Sequence, residues 1–258
     1  MTAETLMQME DRYETEKSPA ASYFIKLKRK EQKKIKVLVL DSGILINLSM
    51  NGLLYLFEKM KKISGVRFVV TEDVKYETID RPVNVPRFEL EALQIKSLIE
   101  NKIVEMPEAF GIKKQEIDKR KSEFMRIANN SIKANGKFIN IVSNAEMSCL
   151  ALSSILTEKG IENIIGIDER TTRLLAEKPE NLEEMMSSRL HQKIEIVKKN
   201  FYVFEKFRFI RSAEFVYVAH KKGILQVKGQ KALEAVLYAT KYKGSSISFE
   251  EIDELKKL

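Results

Sequence analysis

Hydrophobic positions alternate along this chain between two periods. Short apolar-rich runs at Val37–Leu40 (VLVL), Val66–Thr71 (VRFVVT), Ile103–Met106 (IVEM), Ile164–Ile167 (IIGI) and Phe207–Ile210 (FRFI) have the length of buried strands. Between them apolar residues recur every three or four positions, the period of helices. Leu45, Leu48, Leu53, Leu56, Phe57 and Met60 form one series, broken at Asn51-Gly52. A second helix begins near Glu72 and carries Glu77, and Asp80-Arg81-Pro82 ends it ahead of an extended Val83–Pro86. The pattern predicts further helices over Glu89–Asn101, Lys113–Ala134 and Glu146–Thr157, the last with Ser143 as its N-cap and Gly160 as its stop. Thr171–Ala176, Asn181–Ile194, Ser212–Lys222, Lys231–Lys243 and Ser248–Leu258 complete the set.

Short buried strands alternating with helices define an α/β chain with a mainly parallel sheet covered on both faces. Residues 1–35 read as a basic N-terminal extension, with a polar helix over Thr5–Lys17, a short strand at Tyr23–Leu27 and a lysine-rich lead-in at Lys28–Lys36. Residues 36–225 read as one domain. Residues 226–258 are expected to form a helical C-terminal extension packed on the core, its amphipathic Leu233–Tyr242 facing either the core or a second copy.

Composition narrows the chemistry. With 44% apolar residues among 258, the chain is rich enough in apolar side chains for a large core, yet no run reaches the roughly 18 apolar residues of a membrane helix. Glu4, Glu10 and Asp11 replace the apolar stretch of a signal peptide, so a cytoplasmic protein is expected. Cys149 is the only cysteine, which excludes a disulfide framework and a thiolate metal cluster. His191 and His220 are too few for a histidine zinc site. Any metal would be held by oxygen. Forty-five Lys and Arg against 37 Asp and Glu give a net charge of +8 and a pI of about 9.3, a balance that favours RNA or another polyanion through counterion release. Trp is absent, and the other aromatic residues are scattered rather than spaced as a stacking platform.

The acids at the ends of strands carry the chemistry. Asp41 follows Val37–Leu40 and Asp168 follows Ile164–Ile167. Parallel strands share one carboxyl edge, where α/β proteins place their ligands. Glu77 and Glu146 stand at helix starts leaving that edge. Clustered carboxylates repel unless protonated or bound to a cation, and hard oxygen ligands select Mg²⁺ or Mn²⁺. Each acid also has a local explanation, and Asp41 alone reads equally well as the cap of the next helix. No glycine-rich phosphate loop is present.

The order of these segments resembles the PIN-domain nuclease family. It runs from the strand ending DSGILINL, through VKYE after the second strand and SNAEMSCLAL, to IIGIDERTTR, and FRFIRSAEFVYVAHKKG resembles the last strand and helix of longer toxin-like members. The resemblance covers roughly residues 36–225. It implies a three-layer α/β/α PIN-like domain and a metal-dependent endoribonuclease acting on structured RNA such as ribosomal or transfer RNA. It further implies a metal-binding quartet of Asp41, Glu77, Glu146 and Asp168, with Glu146 where the family signature has Asp. Ser42, Asn47 and Glu169 would support the site, Glu169 as a supplement to or replacement for Asp168. Arg170 and Arg173 would hold substrate phosphate. The N-terminal extension and the long segment between Glu77 and Glu146 depart from the family core. A PIN-like protein that binds RNA or a protein partner without cleaving is the alternative. A homodimer and an antitoxin-like protein inhibitor are further partners compatible with the resemblance.

Overall fold

The computed structural model describes residues 37–177 and 179–258. The N-terminal extension, with its expected helix and strand, lies outside the described residues. Elements are numbered here in chain order.

Strand β1 (Val37–Leu40) is buried at every residue and lies at the centre of a parallel sheet. It pairs on one side with β2 (Arg67–Val69), which pairs in turn with β3 (Val104–Glu105). On its other side it pairs with β6 (Asn163–Gly166), in the register Val37↔Asn163 to Leu40↔Gly166, and β6 pairs with β8 (Phe209–Ile210). The order is therefore β3-β2-β1-β6-β8. The chain winds outward from β1 to β3, then returns to the opposite side. The reversal falls between β1 and β6, and in such sheets the crevice beyond the carboxyl ends at that point is the ordinary ligand position. Helices flank the sheet, consistent with a three-layer α/β/α fold.

Helix α1 (Ser42–Met50) starts directly after Asp41, and α2 (Tyr55–Ser64) follows a turn at Asn51-Gly52. A Cβ on Gly166 would come within 3.1 Å of Ile44, so α1 lies close against β6. Phe57 of α2, Phe68 of β2 and Phe215 of α9 (Ser212–Lys221) pack together, the Phe57 and Phe68 rings edge-on at 5.0 Å. Burial of each such side chain stabilises the fold by about 1.5–3 kcal/mol. Helix α6 (Asn144–Glu158) is buried along most of its length, packs on β1 and β6, and is covered by α5 (Lys114–Asn129). Cys149 is a buried core residue of α6.

The short helix α3 (Glu72–Lys75) runs into a π-turn, Tyr76–Asp80, that carries Glu77. A π-turn inserts one residue and rotates the following side chains, a device frequent at functional sites. The segment expected to be extended after Pro82 is a 3₁₀ turn, Pro82–Asn84, with only Val85 extended; proline suits the first position of such a turn. Helix α4 (Glu89–Glu100) follows.

The helix expected over Lys113–Ala134 stops at Asn129. Ile132–Ala134 is strand β4, paired antiparallel with β5 (Lys137–Phe138) and with β7 (Ile194–Ile196) in a small second sheet. The cause is local. Asn135 and Gly136 have φ of 48° and 78°, the left-handed pair that closes a tight hairpin. Ile194 correspondingly begins a strand instead of ending a helix; α7 (Arg170–Glu177) and α8 (Pro179–Leu190) precede it.

Helices α10 (Ala232–Tyr242) and α11 (Phe249–Lys257) pack on the sheet domain. Asn47 and Asn51 of α1 donate to the backbone oxygens of Thr240 (2.8 Å) and Ala239 (3.3 Å). Among the described residues no helix is long and apolar enough to cross a membrane.

Candidate functional site

Asp41 enters the crevice because β1 delivers it there: its backbone N–H donates to Gly166 O at 2.9 Å, the next rung of the β1–β6 ladder. Its Oδ2 accepts from Gly43 N at 3.1 Å and caps α1. Its Oδ1 is buried and accepts no hydrogen bond from the described residues. An unpartnered, buried carboxylate oxygen is costly and calls for an explanation. Burial pushes the Asp41 pKa up to about 7, and the charges of Glu146 and Glu77 add to the shift against the helix-start N–H groups.

Glu77 reaches the same place from the π-turn. It is half-buried, and its Oε2 accepts from Ser42 Oγ at 2.8 Å. Glu146 comes from the start of α6. Its Oε2 accepts from Ser143 N at 3.0 Å and from Thr172 Oγ1 at 2.7 Å, closing a capping box with Ser143. Burial raises the Glu146 pKa despite these donors, and the charge of Glu169 adds to the rise. Glu169 in turn accepts from Thr172 N at 2.8 Å, at the start of α7. Thr172 is thus shared by the two acids.

Asp168 also lies at this edge. A Cβ built on Gly43 would stand 3.4 Å from Asp41 Oδ2 and 3.6 Å from Asp168 Cβ, so the two acids border the same glycine. The Asp168 carboxylate, however, is committed elsewhere. Its Oδ1 accepts from Ser212 N (2.8 Å), Ser212 Oγ (3.0 Å) and Ser245 Oγ (2.9 Å), and its Oδ2 from Asn47 Nδ2 (3.1 Å). Those donors use about as many lone pairs as a carboxylate has. Burial raises its pKa against the pull of the Ser212 and Ser245 donors. Asp168 therefore ties the end of β6 to α9, α1 and the loop between α10 and α11, and Glu169 is the member of the pair whose charge meets Glu146. Asn47 is part of the same tie: its Nδ2 serves both Asp168 and Thr240 O.

The two arginines part company. Arg170 is exposed at the start of α7, two residues after Asp168. Arg173 has a buried, unpartnered Nε, and burial followed by the like charge of Arg211 lowers its pKa. It faces a buried ion network in which Arg211 pairs with Glu214 and, at 3.0 Å, with Glu251. Arg173 thus meets the Arg211 network, while Arg170 is exposed. Arg211 is the N-cap residue of α9, and the Ser212 hydroxyl donates to Asp168.

Of the donors around the acids, the sequence points to Ser143 as a helix N-cap and does not point to Thr172 or Ser245. Only Ser143 carried a signal, the Ser-x-x-Glu spacing of a capping box.

As a metal site the residues fit in chemistry and are incomplete in spacing. Asp41 Oδ1 is an orphaned oxygen, and Glu77, Glu146 and Glu169 supply hard oxygen donors of the type that selects Mg²⁺ or Mn²⁺. Yet among the described residues no group of three or more His, Cys, Asp or Glu is already spaced to hold a metal ion. Like charges spread apart when nothing neutralises them, and Ser42, Ser143 and Thr172 hold Glu77 and Glu146 by hydroxyl and backbone donors. Comparison of the chain with family models, curated proteins and solved structures finds no match.

Proposed function

We propose that this protein is a divalent-cation-dependent ribonuclease that hydrolyses phosphodiester bonds in the crevice beyond β1 and β6. The observation that carries this reading is Asp41 Oδ1, a buried oxygen without a donor beside two further acids whose charges oppose its ionisation. Asp41, Glu77 and Glu146 would hold the ion, with Glu169 as the fourth oxygen donor beside Glu146. Mg²⁺ or Mn²⁺ bound there supplies Lewis-acid activation of water and charge stabilisation at the reacting phosphate.

The chain's own groups do the rest. Ser42 holds Glu77 toward Asp41. Thr172 and Ser143 orient Glu146. Asp168 acts as a positioning residue that fixes the end of β6 against α9 and the loop between α10 and α11. Arg170, exposed at the start of α7, would pair with a substrate phosphate. The excess of 45 basic over 37 acidic residues supports a polyanionic substrate, and the resemblance to PIN nucleases supports structured RNA, of the ribosomal or transfer class.

The test is cleavage of a labelled structured RNA with Mn²⁺ or Mg²⁺, read beside binding of the ion. Wild type should cleave and should gain thermal stability from Mn²⁺. Asp41→Asn and Glu146→Gln should stay folded and lose both effects. Full cleavage in Asp41→Asn would sink the reading.

A second reading, RNA binding without hydrolysis, is favoured by the absence of a ready-spaced group of metal ligands among the described residues. Salt-dependent RNA binding that survives Asp41→Asn, with no cleavage under either ion, would establish it instead.

A further inference from the structure

Aromatic residues that the sequence scatters come together on the C-terminal helices. Tyr238 and Tyr242, one turn apart on α10, stack with ring centroids 6.3 Å apart and 23° between their planes. Phe249, the first residue of α11, lies 6.1 Å from Tyr238 at 46°. Tyr242 is 73% exposed and Phe249 48%. Lys241 holds its ammonium 4.3 Å over the Phe249 ring and donates to Ile247 O, which braces the loop between the helices. Lys243 is exposed beside it.

The loop that joins the two helices of this patch is tied to Asp168. The loop from α10 to α11 delivers Ser245 Oγ to Asp168 Oδ1 at 2.9 Å and Ser246 N to Asp168 O at 3.3 Å. Arg211 grips Ser246 O at 2.9 Å. Three residues of chain span at most about 10 Å, so Tyr242 stands within that distance of Ser245, measured between α-carbons. Asp168 in turn shares Gly43 with Asp41. The rings are therefore joined through a short loop to Asp168, whose Cβ borders the same glycine as Asp41.

We propose that Tyr238, Tyr242 and Phe249 form a stacking platform for unpaired bases of single-stranded RNA, placed to guide the strand to the acidic crevice. The proposal rests on the function proposed above and specifies its substrate: an unpaired segment rather than a duplex. Aromatic rings stack on any base, because every base presents a π-face. Unpaired nucleotides are the part of an RNA whose bases are free to stack on side chains. Charge on the platform itself is mixed, since Lys241 is committed to Ile247 O and Glu250 stands next to Phe249. Local affinity therefore comes from stacking, while attraction of phosphates comes from the basic chain as a whole.

The experiment measures binding of the full chain to labelled oligouridine and to a duplex RNA of equal length, without divalent ions, over a range of salt. Tyr242→Ala and Phe249→Ala should weaken oligouridine binding about 5- to 100-fold. Duplex affinity should be unchanged, and so should the slope of log K against log salt, because no phosphate contact is removed. Tyr242→Phe should bind as wild type. Unchanged oligouridine affinity in both alanine variants overturns the platform, as does an equal loss on duplex. A dimer of the wild-type chain that Tyr242→Ala dissolves also overturns it, since a second copy would then cover the rings. Cleavage assayed in parallel separates the two readings. Wild-type cleavage with platform variants that bind normally removes the platform alone, and ring-dependent binding without cleavage under any divalent ion removes the hydrolysis reading alone.

Discussion

Asp41 and Asp168 occupy equivalent places in neighbouring strands and live in opposite environments. Each follows a buried parallel strand, each is nearly inaccessible, and both border Gly43. Asp168 receives a donor at almost every lone pair, from Ser212, Ser245 and Asn47. Asp41 has one oxygen committed to capping α1 and the other left bare beside Glu77 and Glu146. A strand-end acid is thus not a function in itself. Its unspent acceptor capacity separates a carboxylate that holds the fold together from one that waits for a cation.

The comparison breaks most readily at Asp168. Asp168→Ala should lower unfolding stability by about 4 kcal/mol in urea denaturation, because it strands buried donors on α9, α1 and the α10–α11 loop. A loss under about 1 kcal/mol would mean those hydrogen bonds are not holding the edge.

Asp41 should behave in the opposite way. Its folded pKa of about 7 lies above the ordinary 3.8, so the native state binds its proton more tightly than the unfolded state. The stabilising effect is fully present below the unfolded value and is lost as pH rises through about 7. The metal-free wild type should lose stability relative to Asp41→Asn between about pH 4 and 7, by on the order of 4 kcal/mol. Parallel stability curves for the two proteins over that window would contradict the buried, uncompensated carboxylate.

Smaller effects sharpen the contrast. Glu77→Gln keeps an acceptor for Ser42 but removes a charge, and should cut metal-dependent cleavage about 100-fold with little change in stability. Ser143→Ala removes the N-cap of α6 and one tether near Glu146; it should cost about 1 kcal/mol. In that variant the cleavage loss should be smaller than in Glu77→Gln, because Thr172 still holds Glu146.

Much of the architecture was legible because it follows from local pattern. VLVL and IIGI can be little but buried strands, and the apolar series after each can be little but helices that cover them. The short strands β4, β5 and β7 were not read as such. Ile132–Ala134 continues a helical pattern, and only the Asn135-Gly136 turn reveals the hairpin. Asp41, Glu77 and Glu146 were nominated by their positions after β1, after β2 and at the start of α6, and the structure brings their charges together. Arg173 looked equivalent to Arg170 three residues away, yet that spacing places it against the Arg211 network.

The sequence by itself determined the α/β class and the delivery of Asp41 and Asp168 to one edge. These are consequences of hydrophobic period and of where each run ends. Only the tertiary structure decided which of the two acids is satisfied. Hydrogen-bond saturation depends on Ser212 and Ser245, which lie 44 and 77 residues from Asp168 in the chain. It likewise decided that Tyr238, Tyr242 and Phe249 share a surface next to that edge. No local pattern encodes the meeting of distant side chains; packing alone settles it.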